Sequence, residues 1–85
     1  MTREQVLGLI NLVLKKNGRT ETTDSETGLR EAGFRSLDFS EVALRIEDSL
    51  DRELSFEASS MRRITTIKDV IDFFENATSA AADAG

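Results

Sequence analysis

The chain has 85 residues, with 16 acidic and 11 basic side chains, and it contains no cysteine, histidine or proline. This length fits one small domain, and the composition excludes disulfides, Cys/His zinc sites and any nucleophile activated by histidine. No apolar run approaches the roughly 20 residues that span a bilayer, and the N-terminus sets an acid close to its only base, so we expect a cytoplasmic protein without membrane insertion or a secretory signal.

The first predicted helix begins with a capping box, in which Thr2 is the N-cap and Gln5 the third helical residue. Apolar residues then recur at helical spacing over residues 6–14. Two lysines follow, where the negative end of a helix dipole favours them, and Gly18 is a natural stop. The sequence therefore predicts an amphipathic helix that ends before Gly18.

A polar segment, residues 19–35, separates this helix from the next and is rich in threonine, serine and glycine. Its isolated apolar residues are Leu29, Ala32 and Phe34, and we expect a helical turn at residues 29–32. Loops this long are uncommon in compact domains and often functional. We therefore expect a long, ordered connection between the first two helices.

An acidic helix is predicted from Ser36 to about Asp51. Residues 37–57 hold seven acids and two bases, while the rest of the chain has nine of each, so the whole net charge of −5 follows Ser36. Such a field disfavours nucleic acid and anionic membranes and favours basic protein surfaces. The core-facing residues of this helix are Phe39, Val42, Ala43, Ile46 and Leu50.

The opposite side of the acidic helix carries Leu37 and Leu44 among acids. One interpretation is that these leucines contact the edge of the core. Single exposed leucines are also common and need no function. The other is that they belong to a surface that binds partners, and we favour it.

After a short element at residues 56–61, with Ser55 as its cap, a last helix begins at Thr65 or Thr66, and residues 66–69, Thr-Ile-Lys-Asp, form a capping pattern. Low-complexity residues 77–85 predict a flexible tail beyond a domain of residues 1–76. The predicted fold is all-α, a small four-helix bundle with three main helices and one short helix. The inward residues of the last helix are Ile67, Val70, Ile71 and Phe74.

Ser36 at the start of the acidic helix has three interpretations. A catalytic serine needs a base, but only lysines and carboxylates are available, and neither a G-x-S-x-G elbow nor an S-x-x-K pair surrounds Ser36. A serine here also suits an N-cap, which local sequence alone favours. The third interpretation is an exposed hydroxyl that another enzyme modifies.

Two motifs resemble those of the acyl carrier protein family. Residues 33–38, Gly-Phe-Arg-Ser-Leu-Asp, resemble the family's Gly-x-Asp-Ser-Leu motif at the start of an acidic helix. Residues 63–72 resemble the entrance to the family's fourth helix, Ile-Thr-Thr followed by apolar residues. The resemblance runs from Leu29 to Phe74 with even spacing.

The resemblance implies that Ser36 carries a 4′-phosphopantetheine arm, which a phosphopantetheinyl transferase adds from coenzyme A. Acyl groups would be carried as thioesters on this arm, between enzymes of fatty acid, specialised lipid or polyketide synthesis. The protein would then be a monomeric carrier and not an enzyme, with Val42, Ile46 and the last helix lining an acyl pocket. Its partners would be acyl-loading and acyl-processing enzymes with basic docking surfaces, bound through Arg35, Leu37, Asp38, Glu41, Leu44, Glu47 and Asp48.

Arg35 departs from the family pattern, because it stands where the family normally has aspartate. There are two interpretations. Either the change weakens recognition by a standard transferase, or the Arg35 side chain pairs with the new phosphate or with an acidic patch on a dedicated partner. A second Asp-Ser-Leu triplet at Ser49 lacks a preceding glycine and lies deep inside the helix, so we assign it a structural role. An aminoacyl or peptidyl carrier, and an unmodified carrier-like interaction module, remain as alternatives.

Overall fold

The computed structural model describes residues 1–51, 53–54 and 62–84, with side chains up to Thr78. Over these ranges the chain forms no β-strand, which confirms the all-α class. The predicted short element at residues 56–61 and its cap, Ser55, lie outside them. No described helix has the length and apolar character needed to cross a membrane. The helices are α1 (Arg3–Lys16), α2 (Leu29–Ala32), α3 (Ser36–Leu50) and α4 (Ile67–Ala84).

Helix α1 begins with the predicted capping box. The Thr2 hydroxyl accepts a hydrogen bond from the Gln5 amide at 3.2 Å, and the Gln5 side chain accepts one from the Thr2 amide at 2.9 Å. The chain leaves the helix through Asn17 and Gly18, and Gly18 has a φ of 79°, which glycine adopts without a steric penalty. Its buried residues, Val6, Ile10, Val13 and Leu14, face the core.

The long connection to α3 is fixed to the helices on both sides. Asn11 exchanges two hydrogen bonds with the backbone of Thr22, at 2.9 and 2.7 Å. Farther along, the Leu29 amide donates to the Thr65 carbonyl at 2.9 Å, so α2 is tied to the segment before α4. The predicted helical turn at residues 29–32 is thus confirmed as α2, and these bonds position the loop directly before Ser36.

The core lies between α1, α3 and α4. Helix α3 buries four of its five predicted inward residues, whereas Leu50 is only partly buried. The ring of Phe39 stacks on that of Phe74 with centroids 4.9 Å apart, which joins α3 to α4. Burying a side chain of this size contributes about 1.5–3 kcal/mol. From α4 the core receives Ile67, Val70, Ile71 and Phe74, as the sequence predicts.

Helix α4 extends beyond residue 76, the predicted end of the domain. It continues to Ala84, through most of the segment for which the sequence predicts a flexible tail. The physical reason is that residues 80–82 are alanines, and alanine has the highest intrinsic helix propensity. The boundary between residues 76 and 77 therefore falls inside a helix.

The start of α4 depends on one carboxylate. The Asp69 side chain accepts hydrogen bonds from the amides of Thr65 and Thr66, at 3.0 and 3.1 Å, and from the Thr65 hydroxyl at 3.1 Å. These bonds, led by that from the Thr65 amide and opposed by burial, hold the pKa of Asp69 below its ordinary value of 3.8. Asp69 is therefore more acidic in the folded than in the unfolded protein.

We predict that Asp69 contributes to the loss of stability in acid. Its folded-state pKa lies below its unfolded-state pKa, so its contribution is present above the unfolded value and is lost as the pH falls through the folded one. An Asp69→Asn variant should be less stable than the wild type at neutral pH and should lose less stability on acidification. Urea unfolding at several pH values tests this, and parallel curves for the two proteins would exclude the role.

Candidate functional site

Ser36 is the first residue of α3, and Arg35 is its N-cap, in extended conformation with φ −107° and ψ 175°. The Ser36 side chain is exposed, and no group in the described ranges hydrogen-bonds to its hydroxyl. The interpretation of Ser36 as a helix cap is therefore wrong, because the cap lies one residue earlier. The hydroxyl is accessible and has no structural role within the described part of the chain.

Asp38 stabilises this helix start from inside the protein. Its carboxylate accepts a hydrogen bond from the Arg35 amide at 2.7 Å, as the third residue of a helix does in a capping box. It also accepts one from the Asn17 side chain at 2.7 Å and pairs with the Arg19 guanidinium at 2.5 Å. The predicted place of Asp38 on the partner-binding surface is wrong, because the residue is 2% exposed and both its oxygens are engaged.

The turn between α2 and α3 requires a glycine at position 33. Its φ of 73° is left-handed, and it ends α2. A Cβ atom added here would lie 2.8 Å from Cδ of Arg19, so the arginine packs directly against the glycine backbone. Arg19 thus connects the turn at Gly33 with the first turn of α3 and fixes where Ser36 stands.

Asn17 and Arg19 contact Asp38 at the start of α3, and sequence reasoning missed both of them. They lie in a polar stretch after α1, and no periodicity or motif marks them. Their partner, Asp38, lies 21 and 19 residues away along the chain. Only the tertiary fold brings the three side chains together.

The two outward leucines of α3 are accessible. Leu37 is 83% and Leu44 64% exposed, which excludes the interpretation that they contact the edge of the core. Arg35 and Asp48 are also exposed. Together these four residues form an apolar and charged surface that runs from Ser36 along α3, and we call it the α3 outer face.

Glu41 and Glu47 are half-buried and are engaged by their own chain. Glu41 accepts hydrogen bonds from Lys16 at 3.0 Å and from Arg45 at 3.2 Å, and its pKa is lowered chiefly by Lys16. Glu47 accepts a hydrogen bond from the Leu54 amide at 2.6 Å. Both acids were predicted to bind partners, and both would have to share their carboxylates with these internal donors.

A cleft of about 650 Å³ opens beside Ser36. The predicted lining residues Val42 and Ile46 are not part of it, because both are fully buried in the core. Within the described ranges no group of acidic residues is arranged to hold a metal ion. The cleft is lined by Leu29, Arg30, Gly33, Phe34, Arg35, Ser36, Phe39, Arg62 and Ile64.

Ser49 is exposed, as Ser36 is, but it lies at the opposite end of α3. It lies in the last turn of α3, where the helix dipole is negative. Unlike Ser36, it does not line the cleft. An anionic group is favoured at Ser36 and disfavoured at Ser49. The two Asp-Ser-Leu triplets are thus separated by their positions on the same helix.

No protein-family model and no curated protein match this chain. Among solved structures, the fold is similar to that of an acyl carrier protein from Thermotoga maritima. The two chains are 26% identical, the match covers 95% of each, and the TM-score is 0.70. The chain therefore has the fold of an acyl carrier protein, in agreement with the two sequence motifs, and the match supports a carrier rather than an enzyme.

Proposed function

We propose that the protein is an acyl carrier protein in which Ser36 bears a 4′-phosphopantetheine arm. The observation that carries this proposal is the free, exposed hydroxyl of Ser36 at the first residue of α3, in a chain that folds like an acyl carrier protein. A phosphopantetheinyl transferase would transfer the arm from coenzyme A to this oxygen. Acyl groups would then be carried as thioesters on the terminal thiol, which also explains how a chain without cysteine performs thiol chemistry.

The geometry at Ser36 suits the phosphodiester that attachment creates. The first amides of an α-helix have no intrahelical partner, and the helix dipole is positive at this end. Together they favour an anion by about 0.3–1 kcal/mol at an exposed position. The nearby Asp38 carboxylate does not repel the phosphodiester from the protein surface, because it is buried and paired with Arg19.

The α3 outer face is the proposed docking surface for partner enzymes. Its exposed leucines supply apolar contact beside the attachment site. Asp48 adds an accessible negative charge for basic partner surfaces, and Arg35 adds a positive charge next to Ser36. Electrostatic attraction to basic enzyme surfaces mainly speeds encounter and leaves the complex able to dissociate. A carrier that visits a transferase and then acyl-loading and acyl-processing enzymes needs that property.

Intact mass measurement after incubation with coenzyme A and a broad-specificity phosphopantetheinyl transferase tests the proposal. The wild type should gain the mass of one phosphopantetheine group, and Ser36→Ala should gain none. Ser49→Ala is the matched control and should be modified like the wild type. If neither the wild type nor Arg35→Asp gains mass with several transferases, the carrier function is excluded, and the α3 outer face is better explained as part of an unmodified interaction module. A gain by Arg35→Asp alone would show that Arg35 blocks modification.

The same assay addresses the charge at position 35. Arg35 is exposed and directly precedes the attachment residue, so it meets any transferase that reaches Ser36. We expect Arg35→Asp to change the relative rates with different transferases. Equal rates for both proteins with every transferase would show that this position does not set specificity.

A further inference from the structure

Two sets of residues line the cleft beside Ser36, and we call them its apolar wall and its cationic wall. Four apolar residues of the described ranges line it. Phe34 and Phe39 are each 5% exposed, and Leu29 and Ile64 are partly buried. The other wall is cationic. It contains Arg30, Arg35 and Arg62, all exposed, and we call them the cleft arginines.

The cleft arginines, like Arg63 outside the cleft, have no acidic partner within the described residues. Arg3, Arg19 and Arg45, by contrast, each form an ion pair. Among the residues that the structure describes, no acidic one lines the cleft, although the protein as a whole has a net charge of −5. The fold thus gathers unpaired positive charge at one place next to Ser36, and guanidinium groups bind carboxylates and phosphates through paired hydrogen bonds.

The arm's own phosphate accounts for only part of this charge. A phosphodiester carries one negative charge, against the three guanidinium groups that line the cleft. It also makes no use of the apolar wall. A short chain of methylene groups fits that wall, and a second anion at its end fits the remaining guanidinium groups.

We propose, building on the function proposed for Ser36, that the cleft binds an acyl cargo that ends in a carboxylate. The methylene groups of the cargo pack against the apolar wall, and its terminal carboxylate pairs with the cleft arginines. The cargo class is therefore a dicarboxylic acyl group, held on the flexible arm after it folds back towards Ser36. An uncharged acyl group of the same length has no terminal carboxylate that could pair with the cleft arginines.

Three loaded forms of the protein test this inference. A transferase that accepts acyl-coenzyme A would install adipyl, hexanoyl or unacylated arms on protein labelled with nitrogen-15 at arginine. Adipyl and hexanoyl chains have the same number of carbons and differ in the terminal carboxylate. We expect the Nε–Hε signals of Arg30, Arg35 and Arg62 to shift with adipyl beyond the shift with either other arm, and the extra shift to shrink as salt is added.

Substitutions provide the controls. In protein labelled uniformly with nitrogen-15, changing all three cleft arginines to glutamine should abolish the adipyl-specific change in the backbone amide signals of the other cleft residues. Arg63→Gln is the matched control, because Arg63 is exposed and unpaired within the described ranges but does not line the cleft, and it should leave that change intact.

The outcomes separate the inference from the function on which it rests. If the arm attaches and adipyl, hexanoyl and unacylated forms give the same arginine shifts, the arginines bind the phosphodiester alone and the inference is wrong. If none of the forms shifts these signals, the cleft binds no anion and the inference is also wrong. If no arm attaches at all, the carrier function fails first, and the cargo inference falls with it.

Discussion

Replacing Asp38 with alanine is expected to lower the free energy of unfolding by about 3 kcal/mol. The substitution removes the acceptor for the Arg35 amide, the Asn17 side chain and the Arg19 guanidinium at once. Breaking a buried ion pair costs about 3–5 kcal/mol, and the low end applies because the Arg19 side chain is 26% exposed to water. For a small domain this is a large part of the total stability.

Urea unfolding measures this effect, with Asp48→Ala as the matched control. Asp48 is an exposed acid on the same helix, and its loss should change the free energy of unfolding by less than about 0.5 kcal/mol. Equal, small effects of the two substitutions would contradict the account of Asp38 as the residue that fixes the start of α3. The Arg19→Gln variant should share part of the loss, since it removes one of the same contacts.

Replacing Phe39 with alanine is expected to cost about 3–5 kcal/mol of stability, because it leaves a cavity in the core. The Phe39 ring stacks on Phe74 at 4.9 Å and contacts Phe73 at 5.5 Å, so its loss separates α3 from α4. Phe39 also lines the cleft beside Ser36. The substitution should therefore open the cleft towards the core as well as destabilise the fold.

Thermal and urea unfolding measure the effect of Phe39→Ala against that of Leu37→Ala. Leu37 lies two positions earlier on the same helix but is 83% exposed, so its truncation should change stability by less than about 0.5 kcal/mol. Phe39→Leu, which keeps most of the buried apolar volume, should lose much less than the alanine variant. Comparable losses for Phe39→Ala and Leu37→Ala would contradict the arrangement of inner and outer residues on α3.

Local sequence signals predicted the helices of this fold well. Two capping patterns, at Thr2 and at Thr66, mark the starts of α1 and α4, and both are present as hydrogen bonds. Apolar spacing predicted which residues of α3 face the core, and Gly18 and Gly33 mark chain reversals with positive φ. These features depend on residues a few positions apart, so one sequence is enough to reveal them.

The site itself was only partly predictable, because its geometry depends on contacts distant in sequence. Ser36 was identified from its motif, but nothing local shows that Asp38 turns inward to Asn17 and Arg19 while Leu37 turns outward. The cleft lies against Phe34 and Phe39 and not between Val42 and Ile46, because the latter two are packed in the core. Helical periodicity predicts which face of a helix is buried. It does not predict where the packing of that face against other elements leaves a cleft.

The central claim, that Ser36 is the attachment point of a phosphopantetheine arm, is tested most directly on the protein purified from the organism that produces it. Intact mass and peptide fragmentation would show whether the arm is present and which residue bears it. We predict one phosphopantetheine group on the peptide that contains Ser36 and none on Ser49. A chain that is entirely unmodified, or modified only at another residue, would contradict the claim.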